Sequence, residues 1–217
     1  FHVEGWYDTE LGAANQAIMY QHRNGTIWTS AIDILVSPSG TSITLEGVVI
    51  DREGYLCLLW SDAEALYLST VHIADAACPR LWLTSTVLTG WWPTADIAQG
   101  IDGTLHAVVR PDAWTVSYMR LVSGYEGWSN PSLIEVVNDS EAYAIGDVKL
   151  AISPLDTIHV TWFQTAAEVD WNFWSVWYAR SVDQGVTWEQ VEKLGNPLSG
   201  SSDIAVDGQG NVILVWN

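Results

Sequence analysis

Basic residues are scarce in this chain: eight Lys and Arg stand against 26 Asp and Glu, for a net charge of −18. A surface so acidic repels phosphate backbones and sialylated or sulfated polymers at long range, which sets nucleic acid aside as a partner. Cysteine is nearly missing as well. Cys57 and Cys78 are the only two, so at most one disulfide is available, their pairing is left open, and a disulfide-built scaffold is excluded. Long apolar runs are absent: Gly, Asp and Pro interrupt the β-branched stretches well before the roughly 18 residues that a membrane-spanning helix needs. Helical periodicity is sparse too. The sequence opens at Phe1 with no basic-then-apolar leader and is silent on export.

Aromatic and apolar residues are plentiful. Fourteen Trp and 48% hydrophobic residues in a chain of 217 suffice for a substantial core. Acidic, tryptophan-rich and lysine-poor composition suits an extracellular, cell-surface or periplasmic protein.

An internal repeat organises the chain. Phe1-His2-Val3, Leu56-Cys57-Leu58, Leu105-His106-Ala107, Ile158-His159-Val160 and Val212-Ile213-Leu214 share one pattern, with markers at 1, 56, 105, 158 and 212. Before the later markers lie short strand-like segments: Gly47 to Ile50, Asp96 to Ala98, Asp147 to Ala151 and Asp203 to Val206. The turns between carry Gly54, Asp102-Gly103, Asp156 and Asp207 to Gly210, residues that suit tight hairpins. A third strand centres on Tyr20, Tyr67, Tyr118 and Tyr178, and a fourth begins near Trp28, Trp82, Trp128 and Trp188. Four short strands per period of about 50 residues describe a blade of a β-propeller, an all-β fold of four-stranded antiparallel sheets. The markers are apolar on both faces, as expected of sheets covered on both sides. His2, His106 and His159 recur at equivalent positions; successive blades spread such positions around a ring, so they are expected to be structural. The recurring tryptophans Trp28, Trp60, Trp82, Trp128, Trp162, Trp188 and Trp216 are expected to pack.

Ser181-Val182-Asp183-Gln184-Gly185-Val186-Thr187-Trp188 resembles the Asp-box, Ser-x-Asp-x-Gly-x-Thr-Trp, of the sialidase-like, bacterial-neuraminidase-repeat propellers. Ser181, Asp183, Gly185, Thr187 and Trp188 all match its defined positions. The resemblance implies a structural turn, with Asp183 accepting hydrogen bonds, Gly185 reversing the chain and Trp188 covering the hairpin. Such propellers typically have six blades, which implies that residues 1–217 are a single propeller region within a longer chain and a larger ring; a four- or five-bladed ring closed by the termini is the alternative.

The resemblance also implies that ligands bind on the face made by the loops from second to third strand and from one blade to the next. That face collects Asp8, Glu10, Asp62, Glu64, Asp139 and Glu141. The candidate ligand-binding residues are Trp91, Trp92, Asp112, Trp114, Glu168, Asp170 and Trp171, because nonrepeating aromatics beside carboxylates suit sugar rings or a protein partner. No catalytic residue is assigned. A sialidase needs a cluster of three arginines, and of Arg23, Arg52, Arg80, Arg110, Arg120 and Arg180 only Arg110 is well placed; the Phe/Tyr-Arg-Ile-Pro signature is missing. Calcium is the one cofactor that such oxygen-rich loops admit, although no EF-hand spacing occurs and no metal ligand is assigned. The expected function is a module that binds a glycan or a protein, with a fragment of a sialidase or other glycoside hydrolase, or a structural subunit, as alternatives.

Overall fold

The structure, a computed structural model, describes residues 2–7, 16–37, 40–90, 93–122, 127–136, 142–166, 174–195 and 202–216. Every regular element among them is a β-strand except two short 3-10 turns, Ile73–Asp75 and Pro79–Leu81. No helix among the described residues is long and apolar enough to cross a membrane. The chain divides into two compact units, Phe1–Pro93 and Thr94–Asn217.

In the first unit, β1 (His2–Tyr7), β2 (Gln16–Gln21) and β5 (Ile32–Val36) form one antiparallel sheet, and β3 (Arg23–Asn24) with β4 (Ile27–Trp28) makes a small hairpin between β2 and β5. The next blade is complete: β6 (Thr44–Ile50), β7 (Tyr55–Ser61), β8 (Ala65–His72) and β9 (Leu83–Thr89). In the second unit, β10 (Thr94–Gln99), β11 (Leu105–Arg110), β12 (Thr115–Leu121) and β13 (Ser132–Val136) form one blade. Another is made by β14 (Ala142–Ile152), β15 (Ile158–Ala166), β16 (Trp174–Ser181) and β17 (Glu192–Gly195), and the hairpin β18 (Ser202–Val206) with β19 (Val212–Trp216) follows. In every sheet, order in space follows order in sequence. This is an all-β propeller fold of four-stranded antiparallel blades.

The hairpins that join first to second strands are copies of one another. Gly54, Gly103, Asp156 and Gly210 each donate a backbone N–H to the carbonyl three residues earlier. All four have positive φ, at 86, 91, 58 and 86°. Asp156 alone does so with a side chain attached, a conformation that Asp tolerates better than most residues.

Burial follows the two-sided pattern in three of the marker strands. Leu56 to Ser61, Leu105 to Val109 and Ile158 to Phe163 are buried throughout. β19 departs from it: Ile213, Val215 and Trp216 are exposed, because β19 pairs only with β18 among the described residues. The first unit's core gathers Ile18, Tyr20, Ile34, Leu56, Leu58, Trp60 and Trp82; the second unit's gathers Val108, Tyr118, Val148, Leu150, Val160 and Trp162. Each fully buried side chain of this size stabilises the fold by about 1.5–3 kcal/mol before conformational entropy is subtracted.

Register corrects three details of the repeat. His106 and His159 pair with Arg120 and Arg180, two residues past Tyr118 and Tyr178, whereas His2 pairs with Gln21, one past Tyr20. One step along a strand reverses the face, so His2 is not their equivalent. In the second blade the position of Tyr118 belongs to Leu68, which pairs with Leu59 as Tyr118 pairs with Val108. Tyr67 instead pairs with Trp60 and stacks on it at 4.4 Å. Finally, Trp28 lies in the β3–β4 hairpin and is, like Trp216, about half exposed, so these two are less covered than the other recurring tryptophans.

Candidate ligand-binding loop and the turn at 181–188

Asp112 and Trp114 stand together in the link between β11 and β12. Asp112 Oδ1 accepts hydrogen bonds from the Trp114 N–H (2.7 Å), the Thr115 N–H (2.9 Å) and the Thr115 hydroxyl (2.9 Å). This is Asx-turn chemistry: a short acidic side chain replaces the backbone carbonyl that would otherwise close the turn. The Ile145 N–H donates to the Ala113 carbonyl at 2.8 Å and ties the loop to β14. A rigid support therefore carries Trp114, whose side chain stays 38% exposed. Arg110, at the end of β11, donates from Nε to the Thr94 hydroxyl at 3.2 Å. Trp91, Trp92, Glu168, Asp170 and Trp171 lie outside the described residues, as do Asp8, Glu10, Asp139 and Glu141.

The same link in the second blade shows how differently a loop acid is used. Asp62 is 1% exposed. Its Oδ1 accepts from the Glu64 and Ala65 N–H groups, and its Oδ2 accepts from the Ser37 hydroxyl at 3.0 Å and the Tyr67 hydroxyl at 3.4 Å. Asp62 is a buried loop anchor rather than a surface ligand, and Glu64 alone of that pair faces solvent.

The turn at 181–188 is a closed hydrogen-bond knot. Ser181 Oγ accepts from the Gly185 N–H at 2.8 Å and donates to Asp183 Oδ1 at 2.8 Å; Asp183 then accepts from the Thr187 N–H (2.8 Å) and hydroxyl (2.6 Å). The Thr187 and Ser181 bonds hold the Asp183 carboxyl down at about 2. Gln184 and Gly185 both have positive φ, at 58 and 81°, so the reversal takes two residues where the motif points to one. The turn rests on the preceding blade: Trp188 meets Tyr118 edge-on at 5.6 Å, and a Cβ on Gly185 would collide with the same ring.

His106 and His159 are structural, and alike. Each is buried and shares a hydrogen bond through Nδ1 with a third-strand tyrosine, Tyr118 at 2.5 Å and Tyr178 at 2.7 Å. Burial lowers both histidine pKa values and raises Tyr118 well above the ordinary tyrosine range, beyond any physiological titration. Asp96 had no signal in the sequence beyond opening a strand. It receives the Leu150 N–H on Oδ2 and the Ile97 N–H on Oδ1, both at 2.9 Å, and so links β10 to β14. Cys57 and Cys78 are free thiols, and burial first, then Asp51 and Glu53, pushes Cys57 up to about 12, which leaves it unreactive. Among the described residues no group of three or more His, Cys, Asp or Glu is placed to hold a metal ion.

No family model matches this chain, and no curated protein sequence matches it. Solved structures do. A protein of unknown function from Dyadobacter fermentans is 15% identical with a TM-score of 0.69, over 93% of this chain and 64% of that one. A polysaccharide lyase, ulvan lyase, is 14% identical with a TM-score of 0.65, over 91% of this chain and 58% of that one. The intramolecular trans-sialidase from Ruminococcus gnavus is 13% identical with a TM-score of 0.60, over 92% of this chain and 45% of that one. The chain spans less than two thirds of each. The likeness establishes the fold, a β-propeller shared with carbohydrate-active enzymes.

Proposed function

We propose that this chain is part of an extracytoplasmic, sialidase-like propeller that binds a glycan on the loops following its second strands. Trp114 carries the reading. A partly exposed Trp114 on a loop held by Asp112 is a platform for the C–H face of a sugar ring. Trp91, Trp92, Glu168, Asp170 and Trp171 complete the proposed site from sequence alone. The bound glycan is neutral, because a net charge of −18 opposes acidic polymers. Arg180 is paired with Glu189 at 2.7 Å rather than facing a ligand carboxylate, which also speaks against sialic acid. The turn at 181–188 acts as an Asp-box, a brace between blades, and residues 1–217 belong to one propeller region of a longer ring. The fold's company supports a carbohydrate role: the matched proteins include a polysaccharide lyase and a trans-sialidase.

Calorimetric titration with soluble arabinan, galactan and mixed-linkage glucan tests this. Binding to at least one is expected, with Trp114→Ala weakening it about tenfold at unchanged thermal stability, the worth of one stacking platform. Affinity unaltered in W114A would remove Trp114 from the site. Steady release of new reducing ends during the titration would replace the binding module with a hydrolase.

A further inference from the structure

A strand that ends a sheet turns a row of backbone N–H and C=O groups outward, a template on which another chain can pair. Proteins blunt such edges with charge, with short strands or with bulges. The fourth strands β5, β9, β13 and β17 all stand last in their sheets. β5 carries Asp33, β13 carries Glu135, and β17 carries Glu192 and Lys193. β9, Leu83-Thr84-Ser85-Thr86-Val87-Leu88-Thr89, carries no charge. It is also the longest, at seven residues against five, five and four. A register shift interrupts each fourth strand, but β9 has four paired residues before it, Leu83 to Thr86, where the others have two. Those four are all exposed. β19 is uncharged as well, yet it stands second in its sheet, where the complete blades place a third strand.

The two ends of β9 differ in charge. Arg80, which is exposed, lies in the 3-10 turn just before Leu83. At the other end the Gly90 N–H donates to the Glu64 carbonyl at 3.0 Å, which holds the exposed Glu64 beside the end of the strand. Two copies of one strand related by a two-fold axis run antiparallel, so the basic end of each meets the acidic end of the other. An axis through Ser85 sets Thr84 of each copy against Thr86 of the other, and cross-strand threonine pairs favour a sheet. It also turns Arg80 of each copy toward Glu64 of the other. β5 and β13 offer an acid and no base to such pairing, in a chain whose net charge of −18 already opposes association.

We propose that β9 is a self-association edge: a second copy of this chain adds its own β9 antiparallel, joining two four-stranded blades into one continuous sheet across a two-fold axis. The edge belongs to the first unit, whereas the Asp112–Trp114 loop belongs to the second, and it stands on its own observations. Sedimentation equilibrium of the whole chain from about 1 µM to about 1 mM is the experiment, a range that suits an interface of one strand pair with flanking ion pairs. A monomer–dimer equilibrium is expected. Ser85→Lys, at an exposed position on the axis, sets like charges against each other and should weaken the dimer at least about tenfold with thermal unfolding unchanged. Arg80→Glu should weaken it a few-fold, and adding Glu64→Arg to Arg80→Glu should restore it. A chain that is monomeric throughout this range would overturn the proposal and leave the edge to a strand of a different protein. A dimer of unchanged affinity in S85K, the result that contact through β19 would give, would overturn it too. So would indifference to R80E. If S85K does not fold, the charge reversal and its restoration decide between these outcomes.

Discussion

Two aspartates whose carboxylates accept backbone N–H groups have pKa values moved in opposite directions. Asp96 accepts from Leu150 and Ile97, yet burial outweighs those bonds and raises its pKa to about 6. Asp183 accepts from Thr187 and Ser181 near solvent, and there the bonds win, at about 2. The consequences for stability have opposite sign. Asp96 binds its proton more tightly in the folded chain, so its contribution is fully present below about pH 4, the unfolded value, and is lost as pH rises through about 6. Asp183 contributes above about pH 4 and loses that contribution as pH falls through about 2. His106 and His159, kept neutral by burial, contribute above about pH 6.5 and lose it on acidification. Carbon-detected NMR titration of the side-chain carboxyls should place the Asp96 midpoint near 6 and the Asp183 midpoint near 2; a midpoint for Asp96 at or below about 4 would show that its backbone bonds dominate after all.

At the scale of elements, the turn at 181–188 is coupled to the blade before it. Gly185 sits at φ 81° with Tyr118 in the path of any Cβ, so left-handed strain and overpacking act together. Gly185→Ala is expected to cost about 2–4 kcal/mol in chemical denaturation, and a cost below about 0.5 kcal/mol, typical of open surface sites, would mean the turn does not rest on Tyr118. The motif made the turn legible in sequence; its seat on another blade was not, since Tyr118 lies in a different repeat. Strands and hairpins were legible for the same local reason: positive-φ residues recur at each first turn, and apolar markers recur in each second strand. Register was not. Bulges before Tyr20, Tyr118 and Tyr178 shift one strand against its neighbour, and such a shift leaves no mark in composition while moving side chains such as Tyr67 to another face.

Across the molecule as a whole, the excess of negative charge sets the response to salt. With 26 acidic against eight basic residues, the folded chain concentrates like charges that the unfolded chain spreads apart, and added salt screens that repulsion. The melting temperature is therefore expected to rise as sodium chloride increases from about 10 mM, where the Debye length is about 30 Å, to about 150 mM, where it is about 8 Å. A fall would mean that favourable pairs such as Arg180–Glu189 outweigh the net charge. The candidate site was legible only in part. Asp112 and Trp114 do share one loop, but Asp62, read from the same kind of loop, turned out to be an internal anchor.

By itself the sequence determined the blade: its period, its four strands, its hairpin turns and the motif at 181–188. All of these are short-range properties, set by side-chain alternation and by the backbone angles a few residues prefer. Only the tertiary structure decided that Asp62 is buried, that Asp96 is partly so, and that Tyr118 carries the turn of the next blade. Those outcomes depend on which residues far along the chain, 25 positions away for Ser37 and Asp62 and 54 for Leu150 and Asp96, come to lie against them, and burial is a property of that meeting rather than of either segment alone.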